Sequence, residues 1–200
     1  MRPGREHRLG CLLLWLIFSL HFPSSTLSQP AKEPDQDKPC STSGLPNGLQ
    51  KKLSTEFGSW KIQELADLAA SAKARWYAAE YNGCAGIADG EFREKNRTSY
   101  AVLLVPKDKP NTAYRLLIYS PSQGTAAEES AVIEKNDSQT ASNFFLHAEK
   151  TDKLFDEESR LKRHITTTDA VLLFDAGENE YEVDAYYWSA GVYRSSTVDM

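Results

Sequence analysis

The chain has 200 residues, of which 40% are hydrophobic, with 23 Lys and Arg against 28 Asp and Glu for a formal net charge of −5. That size allows one domain with a real core. The acidic balance argues against nucleic-acid binding, because a polyphosphate backbone is recognised through a basic surface.

In chain order, Arg2, Arg5 and Arg8 precede an apolar run from Leu12 to Leu20, and the small residues Ser24, Ser25, Thr26 and Ser28 follow. Positive, then apolar, then small is the order of a secretory signal peptide, with cleavage expected after Ser28. The run is too short to span a bilayer core, which takes about 20 apolar residues. Leu9-Gly10-Cys11 is not a lipoprotein box, because it lies before the apolar run. Removing residues 1–28 takes away three bases and one acid, leaving 20 against 27, a net charge of −7. No later run is long enough to cross a membrane. The expectation is an exported chain, periplasmic or secreted.

Residues 29–47 are rich in Pro, Lys, Asp, Ser and Gly, and read as a flexible linker. Residues 48–200 then form a single domain. Cys40 and Cys84 remain after processing, and an even pair in an oxidising compartment reads as a disulfide or as two unpaired thiols. Asn47 is placed to cap a short helix whose Leu49, Leu53 and Phe57 share one face, and Gly58 ends it. Trp60 and Ile62 alternate as in a short strand. A second helix is expected from about Glu64 to Glu80, with Leu65, Leu68, Ala72 and Trp76 on its buried stripe, stopped by Asn82-Gly83.

Tyr100 to Val105 is apolar on both faces, as in a strand of a covered sheet, and Pro106 ends it. Lys107 to Asn111 makes a turn into a strand from Tyr114 to Tyr119. Weaker strand signals follow at Ser130–Glu134 and Phe144–His147, then a strong one at Ala170–Phe174. Tyr181–Trp188 and Val192–Val198 read as a closing hairpin around Ser189-Ala190-Gly191. Strands succeed each other with short polar loops and no helix-length crossover, which predicts an antiparallel arrangement. The fold class is therefore α+β: N-terminal helices packed on a meandering antiparallel β-sheet.

Gly90, Glu91, Phe92, Tyr100, Ala101 and Val102 resemble the hairpin of FG-GAP and VCBS-type repeats, present here as one degenerate copy at residues 90–102. In those families the cation ligands are aspartates at the positions held here by Arg93, Lys95 and Ser99. Calcium takes six or more oxygens, several anionic, so the resemblance implies the structural half of the motif and no metal site. Phe92 is expected to pack beneath the hairpin and Asn96 to occupy a left-handed turn position. Cys84-Ala85-Gly86-Ile87-Ala88, with Tyr186-Tyr187-Trp188 and Gly191-Val192-Tyr193, is similar to a family of uncharacterised exported bacterial proteins. That likeness implies an envelope setting and no particular activity. The sequons Asn96-Arg97-Thr98 and Asn136-Asp137-Ser138 matter only in a eukaryotic secretory pathway.

Chemistry-bearing patterns are sparse. The processed chain has two histidines, His147 and His164, with no zinc spacing, nucleophile elbow or phosphate-cradling glycine loop beside them. No cofactor is expected. His147 reads as a strand residue at the core edge and His164 as a surface residue. Arg160-Leu161-Lys162-Arg163-His164, the one dense basic cluster, follows Asp156-Glu157-Glu158 and reads as a solvated face. Asp175, Glu178, Glu180, Glu182 and Asp184 lie close in sequence; the alternation of the last three with Tyr181 and Val183 marks a polar strand face. The binding candidates are Tyr186, Tyr187, Trp188 and Tyr193, with Glu182 and Asp184 beside them. Tyr186 and Trp188 share one strand face and Tyr187 takes the other, so the rings either pack in the core or form a platform.

Two functions follow. The first is an exported, non-enzymatic binding module that acts on a protein or envelope polymer in the cell envelope or extracellular space. The alternative is a small extracytoplasmic hydrolase whose base, His147 or His164, meets one of Asp175 to Asp184 only in the fold.

Overall fold

A computed structural model describes residues 40–124, 126–137, 141–177 and 181–199, all within one compact unit. The expected signal segment, residues 29–39 of the expected linker, and Glu178 and Glu180 lie outside the described residues.

Four α-helices and nine strands are present among the described residues: α1 (Asn47–Thr55), β1 (Trp60–Ile62), α2 (Ala70–Ala78), β2 (Ile87–Glu94), β3 (Arg97–Pro106), β4 (Tyr114–Ser120), β5 (Glu129–Asn136), β6 (Phe144–Lys150), α3 (Thr151–Leu154), α4 (Glu157–Lys162), β7 (Asp169–Asp175), β8 (Glu182–Ser189) and β9 (Val192–Thr197). All strand pairings are antiparallel, and the class is α+β as expected. The meander is divided into two sheets. In the first, β3 is flanked by β1 and β2 on one side and by β4, then β5, on the other; the second runs β6-β7-β8-β9.

Strand periodicity explains the layering. On β3, Ala101, Leu103 and Val105 point inward to meet Phe144, Leu146, Val171, Leu173 and Tyr186 of the second sheet. Their neighbours Val102 and Leu104 point outward and are covered by Leu45 and Leu49, with Leu53 and Phe57 alongside. The second sheet repeats the scheme. Its outer residues Phe145, Leu172, Phe174, Ala185 and Tyr187 pack on Leu68, Ala72, Trp76, Phe155 and Ile165. Each sheet therefore has both faces covered, which is why its central strands read as continuous apolar runs.

Several local expectations change. Pro46, not Asn47, sits at the N-cap of α1, and no side chain caps that end. The helix expected over Glu64–Glu80 is shorter. A 3₁₀ turn at Leu65–Asp67 comes first, closed by a reciprocal capping box between Glu64 and Asp67; Leu68 is extended, and α2 starts only at Ala70. Leu68 thereby reaches the outer core of the second sheet without continuing a helical face. Residues 40–46, expected to be linker, are tied down: Cys40 is bonded to Cys84 and Leu45 is buried.

The β2–β3 hairpin turns at Lys95-Asn96, with Asn96 at φ 62° and Phe92 fully buried. Gly90 answers a close approach. A Cβ there would lie 2.8 Å from the Phe92 ring and 3.1 Å from Asp169 Oδ2, the carboxylate that accepts the Glu91 N–H at 2.8 Å. Thr168 and the Asn96 backbone hydrogen-bond the Glu91 carboxyl and hold it below the usual carboxylate range. Arg93 pairs with Glu129, and the Ser99 hydroxyl lies 2.6 Å from that of Ser120.

Candidate functional site

The β8–β9 hairpin carries all six predicted binding residues, and the fold separates them. Ala190 and Gly191 sit at φ 48° and 87°, consecutive positive values that match a two-residue type I′ connection. This turn pairs Trp188 with Tyr193 and Tyr187 with Arg194. Side-chain alternation then decides each ring's surroundings.

Tyr186 and Tyr187 are buried, which corrects the platform reading for both. Tyr186 lies between the sheets, where its hydroxyl donates to Glu134 Oε2 at 2.6 Å; Tyr114 reaches the other oxygen of that carboxylate at 3.4 Å. Burial, then the Glu134 hydrogen bond and charge, push the Tyr186 hydroxyl pKa up, so it stays a donor. Tyr187 packs edge-on against Phe155 in the outer core, and its hydroxyl accepts from Arg163 Nη1 at 3.3 Å. Burial of large aromatic area is the reason both rings are drawn inward.

Trp188 and Tyr193 remain partly exposed. Their rings meet edge to face at 4.8 Å, and the Arg93 guanidinium sits 4.3 Å from the Trp188 ring centroid. The Tyr193 hydroxyl is buried without a hydrogen-bond partner among the described residues, and burial pushes its pKa up. Glu182 is exposed and Asp184 half-buried; the Thr197 hydroxyl lies 3.1 Å from the first and 3.0 Å from the second, and donates to one at a time. β9 is the edge of its sheet, with no strand paired on its outer side among the described residues.

The histidine–carboxylate pair that a hydrolase needs is not formed among the described residues. His147 is half-buried and stacks on Tyr81, ring centroids 4.2 Å apart, and desolvation lowers its pKa. His164 is exposed at φ 52°, and its backbone N–H bonds to the Leu161 carbonyl. Neither imidazole hydrogen-bonds a carboxylate or hydroxyl there. No group of three or more His, Cys, Asp or Glu able to hold a metal ion occurs among the described residues.

Two features escaped the sequence reading. Arg97 is 4% exposed and donates to the carbonyls of Pro121 and Ala127, both within 2.8 Å, so it ties together the two ends of the β4–β5 connection. Only its place three residues before the apolar run from Tyr100 hinted at burial. The second is α4, whose N-cap Asp156 accepts from the Ser159 N–H at 2.7 Å. Acids in its first turn and bases in its last turn are a legible helix signature.

Compared with known proteins, the chain matches no family model, no curated protein and no solved structure.

Proposed function

We propose that this protein is an exported, non-enzymatic binding module that engages a protein or an envelope polymer through the β8–β9 hairpin. The observation that carries the reading is the rim of that hairpin. Trp188, Tyr193 and Arg93 form a preassembled aromatic–cation cluster at a sheet edge that no described strand pairs, while both sheet faces are committed to packing. Rigid aromatics flanked by arginine are the residue types that contribute most to recognition.

Export is supported by the order of residues 2–28 and by the Cys40–Cys84 bond, since such bonds persist in oxidising compartments. Among the described residues no helix is long and apolar enough to cross a membrane.

The test is affinity capture from an envelope extract with the parent protein and with Trp188→Ala, both checked for folding. A retained component that is lost with the variant supports the reading. Equal retention by both proteins, or none by either, removes the hairpin rim as the binding surface.

A further inference from the structure

The opposite face of the same hairpin carries a second feature. A hollow of about 340 Å³ opens between the end of α4 and the β8–β9 turn, lined by Lys162, Arg163, His164, Arg194, Tyr187 and Ser189. A neighbouring hollow of about 380 Å³ shares His164 and is lined by Arg160 and also by the carboxylate-bearing Glu157. The segment after α4 is fixed in place. Ser189 Oγ donates to the Arg163 carbonyl at 2.5 Å, and Ile165 bridges Ser189. The Arg163 guanidinium is oriented by the Tyr187 hydroxyl and lies 5.5 Å from the Phe155 ring centroid.

The bases here are clustered, whereas Lys51, Lys73, Arg75, Lys95, Lys107, Lys109 and Lys135, which also form no ion pair among the described residues, are dispersed along the chain. Lys52, Lys61, Arg93, Arg97, Arg115, Lys150 and Lys153 each pair with a carboxylate. Among the described residues Arg160, Lys162, Arg163 and Arg194 form no ion pair, and the buried Arg160 Nε has no hydrogen-bond partner. An acidic chain has carboxylates to spare, yet its densest bases are left unneutralised around a concave surface. Carbonyls at the end of α4 account for attraction of Arg160, Lys162 and the C-cap Arg163; Arg194 comes from β9. Sequence alone reads this cluster as a solvated face, and Arg194 joins it only through the hairpin register.

We infer that this pair of hollows binds a flexible polyanion through successive oxyanion groups, phosphate first among them. Arginine and lysine match phosphate oxygens by charge-assisted hydrogen bonds. Two adjoining hollows that share His164 suit repeated anions on one strand better than a single small ion. A rigid duplex would meet the acidic remainder of the surface, whereas a flexible strand need touch only this patch. The inference goes beyond the binding-module reading, because it concerns a second surface, on the opposite face of the hairpin from Trp188.

The test is titration of the whole processed protein with inorganic phosphate, long-chain polyphosphate and polyglutamate, followed by calorimetry at two salt concentrations. Polyphosphate is expected to bind much more tightly than phosphate and than polyglutamate. With about three to four cations engaged, its affinity should fall roughly 20- to 50-fold between 50 and 200 mM salt. Lys162→Glu with Arg194→Glu should weaken it at least tenfold. Lys51→Glu with Lys109→Glu, which changes net charge equally at exposed sites elsewhere, should change it less than threefold. Both double variants retain the core residues, and thermal unfolding checks their folding. Equal loss in the two double variants would reduce the effect to bulk charge and overturn the site. So would absence of polyphosphate binding, tighter binding of polyglutamate, or binding of free phosphate as tight as that of the polymer. If polyphosphate fails while envelope capture still depends on Trp188, the polyanion inference falls and the binding-module reading stands; failure of both removes both.

Discussion

Breaking the Cys40–Cys84 bond tests how the N-terminal arm is held to the sandwich. The two cysteines are 44 positions apart, and the segment between them holds α1, β1 and α2. Cross-linking a loop of that length removes roughly 13 cal/mol/K of entropy from the unfolded chain, or about 4 kcal/mol at 25 °C. Replacing both cysteines by alanine should therefore cost about 4 kcal/mol. With an unfolding entropy of about 2.1 cal/mol/K per residue over roughly 160 ordered residues, Tm should fall by about 12 °C. Denaturant unfolding followed by tryptophan fluorescence reads the loss, because Trp76 is buried in the outer core. The single variant Cys40→Ala should cost nearly as much as the double, since either change opens the loop. Intact mass of the parent, lighter by two hydrogens than the reduced chain, establishes that the bond was present. A loss under about 1 kcal/mol in such a bonded parent would refute the loop-entropy account of this arm.

Three further outcomes are expected. Gly90→Ala should destabilise by about 1–3 kcal/mol in denaturant melts, because the new methyl meets the Phe92 ring at 2.8 Å and the Asp169 carboxylate at 3.1 Å; an unchanged midpoint would show that the hairpin moves aside freely. Ala190→Asn should stabilise by about 0.5–1 kcal/mol, because Ala190 holds φ 48° in a turn where Asn-Gly is the favoured pair; differential scanning calorimetry reads the rise in Tm. Burial depresses the pKa of His147, so the unfolded chain takes up its proton first as pH falls. Its contribution is complete above the unfolded pKa and is lost as pH drops toward the folded one, so stability should decline between about pH 7 and pH 5. His147→Phe, which keeps a ring against Tyr81, should flatten that decline; equal slopes in both proteins would assign it to other groups.

What local pattern could determine, it determined. Runs such as Tyr100–Val105 and Ala170–Phe174 exceed what one buried face requires, so doubly covered strands were readable from them, as was their antiparallel order from the short loops. Phe92 and Asn96 were placed by the hairpin pattern, because a turn's backbone preference is local. Periodicity also put Tyr187 on the face opposite Tyr186 and Trp188. Tertiary structure decided the rest. Nothing local says where a meander breaks, so two sheets arose where one was expected. The Leu68 kink exists because its side chain is needed at the second sheet, a demand from outside its own segment. Whether an aromatic is core or surface depends on what lies across from it, and only the fold brings Glu134 to Tyr186, Arg93 to Trp188, and Arg194 beside Lys162 and Arg163. These contacts join residues distant in sequence, and such pairings follow from packing, which no window along the chain contains.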